Sequence, residues 1–188
     1  MSKLILIKHA SPQVEAGVSS HEWKLSPAGR EKAAALAERL RSHAPGVIVS
    51  SAEPKAIETA QIIAGAMGIA HETAEGLAEH DRSNVPQMPT REFISSVALF
   101  FKKPTELVLG RETAAQALDR VTSAIDRILS EKAGRHVAIV THGTVLALYL
   151  APLTRGDPFD LWRRMGLPSF VMIDGETKQV IEMVDRVE

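Results

Sequence analysis

The sequence predicts an α/β fold, a three-layer α/β/α sandwich with a mostly parallel central sheet. Three observations predict it. Short apolar runs without alternation, Leu4 to Ile7, Val47-Ile48-Val49 and His136 to Thr141, read as strands buried on both faces. Segments with apolar residues at helical spacing separate them, as in βαβ units. The first and third runs each lead into a histidine, His9 and His142. Those positions are carboxyl-terminal strand ends, the edge at which open α/β sheets bind ligands.

Taken in order, the first strand is followed by a polar, turn-rich loop over residues 10 to 24. Ser26-Pro27 opens a helix, with Ser as N-cap and Pro at the first helical position. Ala33, Leu36, Ala37 and Leu40 form its apolar face, and Pro45-Gly46 ends it. The second strand runs into Ser50-Ser51. Ile57, Ala60, Ile63, Ala64 and Met67 then mark a helix closed near Gly68. A short strand is expected from Ile69 to Thr73, and a long loop from Glu75 to Pro89. Loops of that length are usually functional or disordered. A helix from Thr90 to Phe101 carries Phe93, Val97 and Phe100 on one side, read as core in preference to a lid or dimer contact. Thr113-Ala114-Ala115-Gln116 is a capping box that starts a helix bearing Ala117, Leu118, Val121, Ile125, Ile128 and Leu129. After the His136 to Thr141 strand comes an apolar helix from Thr144 to Leu150. Phe170 to Ile173 and Gln179 to Val184 pair about Asp174-Gly175 as an antiparallel edge.

Composition narrows the function classes. The 188 residues fit one domain, and 45% hydrophobic with 24% charged residues is an ordinary globular mixture. A formal net charge of -1 gives no support for a nucleic-acid or anionic-membrane partner, so any attraction for an anion must be local. With no cysteine, disulfides, thiolate catalysis and cysteine-ligated zinc are excluded, and a cytoplasmic location is expected. The apolar run at the N-terminus is too short for a signal segment, and no stretch approaches the ~20 apolar residues of a membrane span.

Each candidate residue has a bland reading beside the functional one. His9 and His142 could be structural histidines at strand boundaries, or a nucleophile and general base, since imidazole titrates near neutrality. Their matching contexts favour chemistry. His142 also precedes a helix, whose N-terminal amides favour anions. Lys55, alone, reads as a solvated helix lysine. Glu79, in Leu77-Ala78-Glu79-His80-Asp81-Arg82, reads alone as an exposed loop carboxylate.

Together these segments resemble the histidine phosphatase superfamily, the phosphoglycerate-mutase-like phosphatases. The family's Arg-His-Gly signature reads here Lys8-His9-Ala10. Its Leu-Thr-x-x-Gly helix start is similar to Leu25-Ser26-Pro27-Ala28-Gly29. Its Ser-Ser-Pro-x-x-Arg-Ala-x-Gln-Thr-Ala segment resembles the run from Ser50 to Ala60, which places Lys55 at the arginine. Leu77-Ala78-Glu79 resembles the acid segment, and Val140-Thr141-His142-Gly143 is identical to the second-histidine block.

The resemblance implies one histidine phosphatase-like domain over residues 1–188, with an insert at about 75–112 over the site. It implies that His9 attacks a phosphoryl group to give phosphohistidine and that Glu79 protonates the leaving oxygen. His142, Gly143, Lys8 and Lys55 would hold the phosphate oxygens, with Arg82 as a further guanidinium from the long loop. No metal or other cofactor is implied. The partner would be a small phosphorylated substrate or a phosphoprotein, selected by residues 10 to 24, 75 to 112 and 154 to 168. The pattern specifies no oligomeric state.

Four departures bear on this reading. Both pocket arginines are lysines, which replaces a planar fork by a mobile point charge. Ala10 stands for the signature glycine and would be strained at a positive φ. Pro12 and Glu15 replace the threonine and asparagine that contact phosphate in mutases and sugar phosphatases. Because both histidines, the candidate acid and two cations survive in matching places, the resemblance still implies a phosphomonoester phosphatase. A catalytically weakened phosphate-ligand-binding protein is the alternative, and a phosphomutase comes third.

Overall fold

A computed structural model describes residues 2–188. The first strand, β1 (Lys3–Lys8), is followed by α1 (Pro27–Leu40), β2 (Val47–Ser50), α2 (Pro54–Met67) and β3 (Ala70–Thr73). Two helices, α3 (Thr90–Lys102) and α4 (Ala114–Glu131), precede β4 (Val137–Thr141). The chain ends with α5 (Gly143–Thr154), α6 (Pro158–Arg164), β5 (Ser169–Asp174) and β6 (Val180–Val184). The six strands form one sheet in the order β3-β2-β4-β1-β5-β6. The first four are parallel; β5 runs antiparallel to β1, and β6 antiparallel to β5. This is the expected mostly parallel sheet with an antiparallel edge.

The unalternating strands follow from the three layers. Successive strand side chains point to opposite faces, so a strand covered on both sides has no solvent face to mark with polar residues. Leu4, Leu6, Val47, Val49, Val137 and Ile139 pack on one face, in a core that includes Val121 and Ile125 of α4 and Val145 of α5. Ile5, Ile7, Ile48, Ala138 and Val140 pack on the other, with Leu36 of α1 and Ile63 of α2. Val97, Phe100 and Phe101 of α3 are buried, as expected for core.

Several segments differ from expectation, among them α5, which runs from Gly143 to Thr154 instead of Thr144 to Leu150. The helix α1 stops at Leu40, and a tight 3-10 turn over Arg41–His43 precedes Pro45-Gly46. Residues 154 to 168, expected as a loop, hold the end of α5 and the seven-residue α6. The start of α6 has a local cause: the Asp157 side chain accepts hydrogen bonds from the Phe159 and Asp160 amides, and Pro158 takes the first helical position. Residues 10 to 24 include a 3-10 turn at Ser20–Glu22. Among the described residues no helix is long and apolar enough to cross a membrane.

Candidate active site

The register of β1 on β4 aligns Lys8 with Thr141. The next residue on each strand is a histidine, so two neighbouring central strands deliver His9 and His142 side by side. Their ring centroids are 5.1 Å apart at 61°, and both are buried. His9 Nδ1 lies 2.7 Å from the Ala10 carbonyl oxygen. A carbonyl can only accept, so Nδ1 carries the hydrogen and Nε2 keeps the lone pair. Burial, reinforced by His142, Lys55 and Lys8, holds His9 well below the usual histidine range.

Ala10 is not strained. It lies outside the residues with positive φ, and its N–H donates to Thr59 Oγ1 at 3.1 Å. The conditional strain expected for alanine at the glycine position does not arise. Gly29 has a different necessity. A Cβ there would lie 2.1 Å from the Ser11 carbonyl oxygen, so the first turn of α1 rests against backbone two residues past His9. Ser26 fixes the same contact, donating to Ser11 O from both its N–H, at 3.0 Å, and its hydroxyl, at 3.1 Å.

His142 caps α5 by position but not through its side chain. Its Nε2 lies 2.9 Å from Ser51 Oγ and 3.4 Å from Glu53 Oε1. Nδ1 has no hydrogen-bond partner among the described residues. Burial pushes this imidazole down to about 4, against the opposing pull of Glu53 and Glu79.

Glu79 is buried, not an exposed loop carboxylate. Thr141 Oγ1 donates to Leu77 O at 2.7 Å, and Arg120 of α4 donates to the carbonyls of Gly76, Ala78 and Glu79. These bonds hold the loop against the sheet edge. The Glu79 carboxylate accepts from the amides of Thr144 at 3.1 Å, Val145 at 3.3 Å and its neighbour His80 at 2.9 Å. The N-terminal amides of α5, expected to face an external anion, thus hold an internal one. Burial alone would raise this carboxyl, but Arg82, His142 and the amides outweigh it and bring it to about 2. Arg82 Nη2 stands 3.8 Å from Glu79 Oε2, and its guanidinium lies over the Phe93 ring at 5.1 Å.

Both lysines reach the site, and both already have protein partners. Lys8 Nζ donates to Met165 O at 2.7 Å. Burial lowers Lys8 to about 8, partly offset by Glu79. A Cβ on Gly143 would stand 2.9 Å from Lys8 Cε, so this glycine makes room for the lysine. Lys55 is buried rather than solvated; it donates to Ser20 O and to Glu53 Oε2, the latter at 2.8 Å.

Sequence reasoning passed over Glu53. It is buried among the candidate residues. Its Oε1 accepts the Glu79 N–H at 2.8 Å and lies 3.1 Å from His21 Nδ1. Burial opposes its ionisation, yet His142, His21 and Lys55 hold it far below the carboxylate range. The one sequence signal was an acid directly before Pro54 at the helix start, two residues from Lys55. Pro12 forms a bridge with Leu25, and Glu15 is exposed. Among the described residues no three His, Asp or Glu side chains group to hold a metal ion.

Two histidines thus stand at neighbouring strand ends with two lysines and two buried carboxylates around them. Residues 4–180 match the histidine phosphatase superfamily (branch 1), and the chain belongs to that family. It is 27% identical over 161 residues to phosphoglycerate mutase-like protein 4 of Arabidopsis thaliana, covering 77% of this chain and 68% of that protein. The mycobacterial glucosyl-3-phosphoglycerate phosphatase superposes with a TM-score of 0.80 at 19% identity, over 100% of both chains. Phosphoserine phosphatase of Entamoeba histolytica, in complex with 3-phosphoglyceric acid, gives 0.76 at 18%, over 99% and 98%. YhfR of Bacillus stearothermophilus gives 0.76 at 23% identity, over 98% and 96%. At these identities the likeness shows a shared fold.

Proposed function

We propose that the protein is a phosphatase that hydrolyses a phosphomonoester through a phosphohistidine on His9. The observation that carries this reading is the His9 ring itself. Its Nδ1 is tied to the Ala10 carbonyl and its pKa is depressed, so Nε2 keeps an available lone pair, in a ring 5.1 Å from that of His142. In the first step Nε2 bonds to phosphorus as the phosphorus–oxygen ester bond breaks. The leaving oxygen takes a proton from Glu79. In the second step Glu79 takes a proton from water, whose oxygen attacks phosphorus and displaces His9.

Glu79 must hold a proton for the first step, although the carboxylate is ionised in the ligand-free chain. An arriving phosphoryl dianion raises its proton affinity and draws on Arg82, the cation that keeps it ionised. Lys8, Lys55, Arg82 and His142 surround the place where charge builds on the non-bridging oxygens. Gly143 contributes by admitting Lys8. We read residues 1–188 as one domain, with 75–112 as an insert that brings Glu79 and Arg82 to the site. The substrate is a small phosphorylated molecule or a phosphoprotein. Similar structures that carry the names of phosphatases acting on small phosphorylated acids support the first. The cysteine-free sequence supports a cytoplasmic location.

One observation favours a second reading, a weakened enzyme that chiefly binds a phosphorylated ligand. Both lysines and His142 are engaged by protein groups. The test is release of phosphate from p-nitrophenyl phosphate by the wild-type chain and by His9→Ala, with alkaline quenching to trap enzyme labelled from a radioactive phosphate ester. Turnover and an acid-labile adduct that both vanish in His9→Ala are expected. Equal rates for the two chains overturn the nucleophile. No turnover, with phosphate still raising the melting temperature, establishes the binding protein.

A further inference from the structure

The carboxylate of Glu53 sits where a phosphatase pocket has most to lose from a negative charge. It is buried, and its two oxygens are shared among four partners. Oε2 accepts from Lys55 Nζ at 2.8 Å, and Oε1 accepts the Glu79 N–H at 2.8 Å. The same Oε1 is 3.1 Å from His21 Nδ1 and 3.4 Å from His142 Nε2. Two of these partners, Lys55 and His142, are groups that the proposed reaction needs for the phosphoryl oxygens. The other two come from the loops on either side, residues 10 to 24 and the loop after β3.

A phosphate entering beside His142 and an anchored carboxylate cannot both have Lys55 at full strength. Two anions a few ångströms apart in a buried site also repel far more than in water. The lysine does not escape this by reaching elsewhere, because its remaining partner is the Ser20 carbonyl. Glu53 is therefore an internal anion that an external one must displace or outbid. A bare oxyanion brings charge alone to that contest. A phosphoryl group carried on a larger body brings further contacts with the surrounding loops, and those contacts make up the difference.

We infer that Glu53 is a specificity-determining residue, whose carboxylate competes with the phosphoryl group for Lys55 and His142 and so selects against free inorganic phosphate. This rests on the proposed pocket and gives it a substrate preference: an organic phosphomonoester with contacts beyond its phosphate is accepted, and the inorganic product is released readily.

The test is equilibrium titration of inorganic phosphate into the full chain by calorimetry, which needs no turnover. Glu53→Gln, an isosteric change that removes the charge, is expected to bind phosphate at least tenfold more tightly than wild type. Glu53→Asp keeps the charge and is expected to stay within threefold. Unchanged or weaker binding by Glu53→Gln overturns the inference, as does an equal gain in Glu53→Asp. No binding by either the wild type or Glu53→Gln also overturns the inference, whereas the phosphatase reading stands or falls separately on p-nitrophenyl phosphate turnover. Should Glu53→Gln not fold, a phosphate-soaked crystal of the wild-type chain decides. Lys55 Nζ is expected on the phosphate and beyond 4 Å from Glu53; phosphate bound with that ion pair intact overturns the competition.

Discussion

Lys8 shows how one residue sets a working range. Its folded pKa is about 8 because its amine is buried, with Met165 O as the hydrogen-bond partner. As pH rises through 8 the pocket loses this positive charge. His9, held neutral by burial, keeps the lone pair that the proposed reaction needs below pH 6.5, and Glu79 gains its proton more readily in acid. All three effects have the same sign. The kcat/KM for p-nitrophenyl phosphate is expected to be several-fold higher near pH 6 than near pH 9. A rate that climbs steadily through pH 8 to 9 would contradict these assignments. Stability runs the opposite way. The His142 pKa is lowered from 6.5 to about 4, so the unfolded chain binds the extra proton and stability falls as pH drops from 6.5 toward 4. Glu79, lowered from 4.5 to about 2, continues the loss as pH falls through that lower range. The melting temperature should therefore decline below pH 6.5, and the upper part of that decline should flatten in His142→Asn. At this scale the sequence was readable wherever a residue sat at a strand end. His9 and His142 follow β1 and β4, and Lys8 ends β1, whereas Lys55 lies in the first turn of α2 and is buried where the sequence alone suggested a solvated lysine. The partners of Lys55, and Glu53 altogether, were not readable, because loop paths and rotamers set them and neither leaves a periodic trace.

Elements position the site through a few contacts that can be cut singly. The first turn of α1 touches Ser11, and a methyl group at Gly29 has no room. Gly29→Ala is expected to cost about 1–3 kcal/mol and lower the melting temperature by several degrees. Because the displaced backbone follows His9, it should also reduce kcat more than the stability loss explains. A second contact is Arg120, which holds three carbonyls of the loop bearing Glu79 and pairs with Glu112. Arg120→Gln is expected to lower kcat about 10²-fold through misplacement of the acid, with the far-ultraviolet circular dichroism unchanged. Wild-type kcat in that variant would show that the loop holds itself. Capping chemistry made most elements legible: Ser26-Pro27, Gly68 and the Thr113–Gln116 box all act as expected. The helix α6 escaped notice because seven residues give barely two turns of periodicity. Its signal was the Asp157-Pro158 start.

For the whole molecule, the strand order explains why the histidine pair is buried and fixed. The strands β1 and β4 lie in the middle of the sheet, each hydrogen-bonded on both sides. Native-state hydrogen exchange should find the amides of Leu6, Ile7, Ile139 and Val140 among the slowest, opening only with global unfolding. Amides of the loops at 10–24 and 82–89 should exchange orders of magnitude faster. Rapid exchange in β1 would mean a looser centre than the sheet order implies. The same adjacency has a consequence for assembly. The strand that carries His9 is made first, and the neighbour that carries His142 comes from far along the chain. A pairing so distant closes slowly. A nascent chain or N-terminal fragment holds one imidazole and half a cup, so the site proposed here is complete only when the last third of the polypeptide has joined the centre of the sheet.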